Sequence, residues 1–386
     1  MLSEKLRFHP CELPPSLDVL RAEVRAFLRE ETAAYPAVLL SNSWDAYDPE
    51  FSAKLGARGW LGMTLPEAYG GHGLSAFERY VVVEECLAAG APTGFHWVAD
   101  RQSGPLIVRY GTEAQKHEIV PKITAGRACF CIGMSEPNSG SDLASLRTKA
   151  ESTADGWVIN GTKIWTTHAH RADYMIALFR TDSASESRHA GLSQFLIDRS
   201  KTEGITPRPI KDLTGRMHFN EVAFENAVLP EDALIGEEGR GWKQATEELA
   251  FERSGPERYL SCFVLLTRLI DVIGKDASPA TKARIGAQIA WVATLRNMSL
   301  SIAGKLNQGE DPALAASIVK DLGCQFEQGL PGLAQELCEL EPTLAGHGVD
   351  YQQVLGNLIQ LAPSFSLRGG TPEIMRGIIA KGLGVR

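Results

Sequence analysis

Two stretches of this chain combine residue types that can do chemistry. Gly133-Met-Ser-Glu-Pro-Asn-Ser-Gly-Ser-Asp142 is dense in Gly, Ser, Asn and Pro, so it turns and presents successive backbone N–H groups and hydroxyls. Such a concave donor surface suits an anion or the polar edge of a ring, including phosphates and a flavin pyrimidine; on composition alone it is an ordinary polar loop. The second stretch, Ala250-Phe-Glu252-Arg253, sets a carboxylate beside a guanidinium. A placed carboxylate can take a proton, although a Glu-Arg pair is more often a surface ion pair on a helix. Glu247, Glu248 and Glu257 stand close by as further carboxylates.

Other candidates carry less. His168-Ala-His170 lacks a third metal ligand, and Cys129 and Cys131 lack a second pair, so no metal site is expected. Gly70-Gly71-His72-Gly73 follows a turn rather than a strand and is no dinucleotide fingerprint. His96, Trp97, Asp100 and Arg101 form a polar-aromatic cluster, read either as the far end of a pocket or as a packed Trp beside a surface Arg.

The elements that must position these residues fall into three regions. Leu17, Leu20, Val24, Phe27 and Leu28 recur at helical spacing within Leu17–Glu31. Ser75-Ala-Phe-Glu78 is a capping-box pattern ahead of a second helix. From about Cys129 to Ile235 short alternating runs take over: Tyr174–Phe179, Ser193–Ile197 and Phe219–Phe224 read as strands, and Asn160-Gly161 as the two-residue turn of a hairpin over Gly156–Trp165. Several short strands in about a hundred residues predict a small barrel or sandwich. Helical texture then returns. Ser278-Pro279 caps a helix with Ile285, Ile289, Val292 and Leu295 on one stripe, and Gly370-Thr371-Pro372 opens the last helix.

Bulk properties fit a protein of several domains. The chain has 386 residues, 44% hydrophobic and 22% charged, more than one ordinary core. A net charge of −8 without a basic block argues against nucleic acid as a partner. No run of eighteen apolar residues predicts a membrane span, and Met1 to Pro15 offers no signal-peptide core. Seven scattered cysteines fit free thiols in a reducing compartment, so a cytoplasmic location is expected.

The motifs together resemble the acyl-CoA dehydrogenase family: Gly111-Thr-Glu-x-Gln-Lys116, Ser135-Glu-Pro-x-x-Gly-Ser-Asp142, Asn160-Gly-x-Lys-x-Trp165-x-Thr167, Phe219-Asn-Glu-Val-x-Phe224, Gly239-x-Gly-Trp242 and Gly369-Gly-Thr-x-Glu-Ile-Met-Arg376 occur in the family's order across nearly the whole chain. The resemblance implies an N-terminal all-α domain (1–127), a middle β-barrel (128–236) and a C-terminal four-helix bundle (237–386), with FAD between barrel and bundle. It implies that Ile132, Met134 and Ser135 meet the flavin ring, that Ser141 serves the FAD pyrophosphate or the CoA side, and that Trp165 covers the flavin face with Thr166 and Thr167 beside it. On pattern alone Trp165 would simply pack a hairpin. Thr371, Pro372 and Glu373 would flank the cofactor, and Ser141, Arg253 and Lys381 the substrate. An electron-transfer flavoprotein as electron acceptor and a homodimer or homotetramer are implied in the same way.

The base is where this chain departs from many relatives, which carry a carboxylate just before the Gly-Thr of the C-terminal motif. Here that position is Gly369, and the resemblance to isovaleryl- and long-chain-type enzymes shifts the role to Glu252. The Arg-x-x-Phe-Gly stretch that holds a neighbouring subunit's FAD is also missing, Leu266–Ser278 standing in its place, and Leu344–Asp350 is a remnant of a second such stretch. Arg268 is a weak substitute. Two rival readings follow: a FAD-poor, non-catalytic subunit of a heteromeric dehydrogenase, and a flavin oxidase or monooxygenase on the same fold. Intact Trp165, Thr167 and Glu252 weigh against the first, and Glu252 against the second.

Overall fold

The computed structural model describes residues 7–184, 187–253, 255–345 and 348–385; the side chains of residues 248–252 lie outside the described residues. Helices come first: α1 (Leu17–Glu31), α2 (Ala37–Leu40), α3 (Pro49–Ala57), α4 (Ala76–Ala89), α5 (Gly104–Tyr110) and α6 (Glu113–Thr124). Strands follow: β1 (Phe130–Gly133), β2 (Lys149–Thr153), β3 (Gly156–Lys163), β4 (Tyr174–Arg180), β5 (Leu192–Asp198), β6 (Ile205–Ile210) and β7 (Phe219–Leu229). The chain then returns to helices: α7 (Gly241–Glu252), α8 (Phe263–Ile273), α9 (Pro279–Asn307), α10 (Ala313–Leu337), α11 (Asp350–Leu361) and α12 (Pro372–Gly382). The chain gathers into two compact units. One comprises Met1–Asp48, Leu74–Gly94 and Ala250–Arg386; the other comprises Pro49–Gly73 and Phe95–Leu249. The N-terminal helices are therefore divided between them.

In the first unit α1 packs on α4, whose N-terminus has the expected capping box: Ser75 N–H donates to Glu78 at 3.0 Å and Ser75 Oγ accepts from Phe77 N–H at 3.1 Å. Two carboxylates of α4, Glu84 and Glu85, are buried because cations converge on them. Arg25 reaches Glu85 at 2.7 Å, and Arg21 and Arg296 reach Glu84 at 2.9 and 2.6 Å. Ser278 caps α9, accepting from Thr281 N–H at 3.1 Å. The apolar stripe of α9 is buried within the chain only from Leu295 onward; Ile289 is 50% exposed.

The strand region is a seven-stranded mixed sheet in the order β1-β4-β2-β3-β7-β6, with β5 also on β4. Tyr174–Phe179 of β4 is buried throughout, which is why it reads as a continuous apolar run rather than an alternation. β1 lies parallel to β4, Phe130 opposite Tyr174, and β5 lies antiparallel to it. A core of Leu106, Ile107, Ile119, Val120 and Ile123 from the helices closes on Phe130 and Ile176 of the sheet.

One expectation fails here. Asn160-Gly161 is not a turn: β3 runs straight through it, and the chain reverses instead at Thr153–Gly156. The pair forms a bulge against β7 between Ile159 and Gly161. Gly161 has φ +143°, and a Cβ there would lie 2.6 Å from Thr148 Oγ1. Asn160 Oδ1 accepts from Asn226 N–H at 2.9 Å, and its Nδ2 donates to Asn226 Oδ1 at 3.1 Å. Turn chemistry here serves close backbone approach within a strand.

Candidate functional site

Within the second unit the expected flavin-facing residues fall on two adjoining segments. β1 delivers Ile132, Met134 and Ser135, all half-buried, at its exit. The loop that follows is tightened by reciprocal bonds between Glu136 and Ser139 (2.9 and 3.0 Å) and by Ser139 Oγ donating to the Asp142 carbonyl at 2.7 Å. Ser141 is exposed on it. Gly133 has no room for a side chain without crowding: a Cβ would sit 3.2 Å from Ala177 Cβ and Met175 Sδ.

The second segment is the exit of β3. Trp165 and His168 both adopt left-handed backbone, φ +59° and +57°, an uncommon state for bulky residues that costs about 1–3 kcal/mol and clusters at functional sites. The start of β7 holds them there. Thr166 N–H donates to the Asn220 carbonyl at 3.0 Å, the Asn220 amide donates back to the Thr166 carbonyl at 3.0 Å, and His168 N–H donates to the His218 carbonyl at 2.7 Å. The consequence is a Trp165 ring 56% exposed, edge-on to Phe219 at 5.9 Å. Next to it the Thr166 hydroxyl is buried without a partner among the described residues. An outward aromatic plane, an unpartnered hydroxyl and a donor-rich turn together fit a flat, hydrogen-bonding ring system such as an isoalloxazine.

In the first unit, Glu252 ends α7, and its side chain lies outside the described residues, as does that of Glu248. Arg253 is buried and turned onto the turn before α12: its Nε donates to the Gly369 carbonyl at 2.8 Å. Lys320, also buried, donates to the next carbonyl, Gly370, at 2.6 Å. Thr371 then caps α12, with Pro372 at its first position and Glu373 exposed. Glu373 is held below the usual carboxylate range by its hydrogen bond to Thr371. Lys381 is exposed near the end of the same helix. Glu257 is buried, and Glu247, which pairs with Arg109 at 3.3 Å, is partly buried. Neither carboxylate has the motif position of Glu252.

Four residues that hold these segments, Glu136, Lys163, Asn220 and Lys320, stand outside the sequence expectations. The first three sit inside the quoted motifs; Lys320 stands outside any motif, and its only signal is a lone cation in the apolar face of α10.

Family models for the acyl-CoA dehydrogenase N-terminal and middle domains match residues 14–127 and 131–227. Acyl-CoA dehydrogenase IpdE1 of Mycobacterium tuberculosis is 30% identical over 377 residues, covering 95% of this chain and 96% of that protein. Mitochondrial isovaleryl-CoA dehydrogenase of Oryza sativa is 28% identical over 375 residues, covering 94% and 90%. Among solved structures, the Tcur3481-Tcur3483 steroid ACAD superposes with TM-score 0.85 at 27% identity over 97% of this chain and 98% of that one. The ChsE4-ChsE5 complex from Mycobacterium tuberculosis gives 0.83 at 28% over 96% and 97%. With two matching domain models and relatives named as acyl-CoA dehydrogenases along almost its full length, the chain belongs to the acyl-CoA dehydrogenase family.

Proposed function

We propose that this protein is a FAD-dependent enzyme that converts an acyl-CoA thioester to its trans-2-enoyl-CoA, with Glu252 as the base that removes the α-proton. The observation that carries the assignment is the turn at Gly369. The position where many relatives place the base has no side chain, and its carbonyl is occupied by Arg253, the residue next to Glu252. An α-proton of a thioester is weakly acidic, so its removal needs a fixed carboxylate and polarisation of the thioester oxygen. Arg253 serves here by fixing the turn before α12. Ser141 and Lys381 are the proposed polar contacts of the CoA moiety.

FAD, when bound, supplies the hydride acceptor for the β carbon. The chain's share is to hold that cofactor: Ile132, Met134 and Ser135 at its polar edge, Trp165 over one face with Thr166 and Thr167 beside it, and Thr371, Pro372 and Glu373 flanking it. Electrons leave to an electron-transfer flavoprotein. The half-exposed stripe of α9 supports assembly with further chains. A two-component enzyme is the second reading. It is favoured by the missing Arg-x-x-Phe-Gly stretch and by the two polypeptides named in each of the superposed structures.

The test is anaerobic titration of the purified protein with straight-chain, branched and steroid-bearing acyl-CoA thioesters. The wild type bleaches its flavin band with one of these classes, and Glu252→Gln binds FAD but does not bleach. Retained bleaching in Glu252→Gln would refute the base assignment. A protein that takes up FAD only with a second polypeptide would establish the two-component reading.

A further inference from the structure

Glu136 and Lys163 belong to the motifs that mark the family, yet the reaction above gives them no part. Lys163 is wholly buried at the end of β3. Its Nζ donates to the Glu136 carboxylate at 2.8 Å and to the Met134 carbonyl at 3.1 Å, and lies 5.4 Å from the centre of the Phe179 ring. The Glu136 carboxylate also accepts the backbone N–H groups of Arg147 at 2.6 Å and Thr148 at 2.9 Å. Ile164, the next residue along from Lys163, donates its N–H to the Ser135 carbonyl at 2.9 Å.

These bonds converge on one purpose. The exit of β3 (towards Trp165, Thr166 and Thr167), the exit of β1 (Met134 and Ser135) and the return of the polar loop at Arg147–Thr148 all meet at a single buried ion pair. Taking two charges out of water costs free energy that an apolar pair of equal volume would not. Burial pulls the Lys163 ammonium down to about 8, with Arg180 adding to the fall and Glu136 opposing it. Burial also pushes the Glu136 carboxyl up, but Lys163 and the Thr148 and Arg147 bonds outweigh it and hold it below its ordinary value. Each partner favours the charged form of the other. What it supplies that an apolar contact cannot is direction: four hydrogen bonds at fixed angles set the separation of the two segments.

We propose that Lys163 and Glu136 form a positioning pair that sets the spacing of the two flavin-facing segments, and so the affinity and electronic environment of bound FAD. This rests on the FAD reading above. Its test is titration of apoprotein with FAD, followed by flavin fluorescence, with the visible circular dichroism of the bound flavin and the thermal midpoint of the apoprotein measured alongside. Lys163→Met is expected to raise the FAD Kd about tenfold or more and to shift the visible dichroic bands, and it should also lower the apoprotein midpoint because it strands the buried Glu136 carboxylate, so Glu136→Asp is the variant that separates positioning from stability. Glu136→Asp keeps the charge but falls one methylene short of its partners, and should raise the Kd several-fold with the same spectral shift. It also decides the matter if Lys163→Met does not fold. A folded Glu136→Asp with wild-type Kd and wild-type bands overturns the proposal. Failure of the wild type itself to take up FAD overturns instead the reading on which it rests.

Discussion

Asn220 is the residue whose removal most directly tests how Trp165 is held. Its amide, fully buried, donates to the Thr166 carbonyl at 3.0 Å and the His218 carbonyl at 3.1 Å, and its oxygen meets His170 Nδ1 at 3.0 Å. In Asn220→Ala the His218 carbonyl keeps the His168 N–H, but the Thr166 carbonyl has no other partner among the described residues. A buried acceptor left unmet costs about 1–3 kcal/mol and a lost hydrogen bond about 1 kcal/mol, so the variant should be about 2–4 kcal/mol less stable. The left-handed conformation of Trp165 stores about 1–3 kcal/mol, which the weakened anchor no longer offsets in full. The segment should then relax and FAD binding weaken. Urea unfolding of the apoprotein and FAD titration read the two effects. A stability loss below about 0.5 kcal/mol, the size of an ordinary surface change, with wild-type FAD affinity would refute the view that Asn220 holds the segment.

Two further outcomes follow from the buried charges. Glu327, fully buried, bonds Arg368 at 3.0 Å and the Ser261 N–H at 2.7 Å, so Glu327→Gln should lose about 1–3 kcal/mol by removing the counter-charge of a largely buried guanidinium, which keeps its bond to Ser261 Oγ at 2.6 Å. Glu327→Gln with Arg368→Met should recover most of that loss in the same urea series. Burial drops the His218 imidazole to about 4, against the pull of Asp212 and with a contribution from Arg216. A folded-state value below the ordinary 6.5 means that the unfolded chain binds more protons between pH 4 and 6.5. Stability from this residue is therefore intact above pH 6.5 and is lost as pH falls towards 4, by about 3 kcal/mol. The stability difference between wild type and His218→Gln should shrink over that window, and a pH-independent difference would exclude the assignment.

Much of this was legible in the sequence, for identifiable reasons. Leu17–Glu31 was readable because one apolar stripe at helical spacing needs one buried face, and Ser75 and Glu78 because a cap is a local hydrogen-bond pattern. Asn160-Gly161 was misread for the same locality: the residues do adopt special backbone, but Thr148 and Asn226, distant in sequence, decide that it is a bulge. β2 and β6 leave little signal: Lys149–Thr153 is mostly exposed, and Ile205–Ile210 carries two prolines and no fully buried residue. The site motifs were legible as a set, while the roles of Asn220 and Lys163 were not. A side chain that orients another segment's backbone leaves no periodicity of its own.

The turn at Gly369-Gly370 ties these observations to the choice of base. Both glycines have positive φ, +66° and +97°, a backbone state that favours glycine over residues with a Cβ. At Gly370 a Cβ would lie 2.7 Å from Met375 Cε. Their successive carbonyls are taken by two buried cations, Arg253 from the end of α7 and Lys320 from α10. A glutamate at position 369 would have to hold the left-handed turn while placing an anion next to those cations, which would pair with it and suppress its basicity. The same two cations instead bind carbonyls in a turn that only glycine occupies without strain. Gly369 and Arg253 are thus parts of one arrangement: the arginine next to the proposed base fixes a turn whose backbone suits glycine.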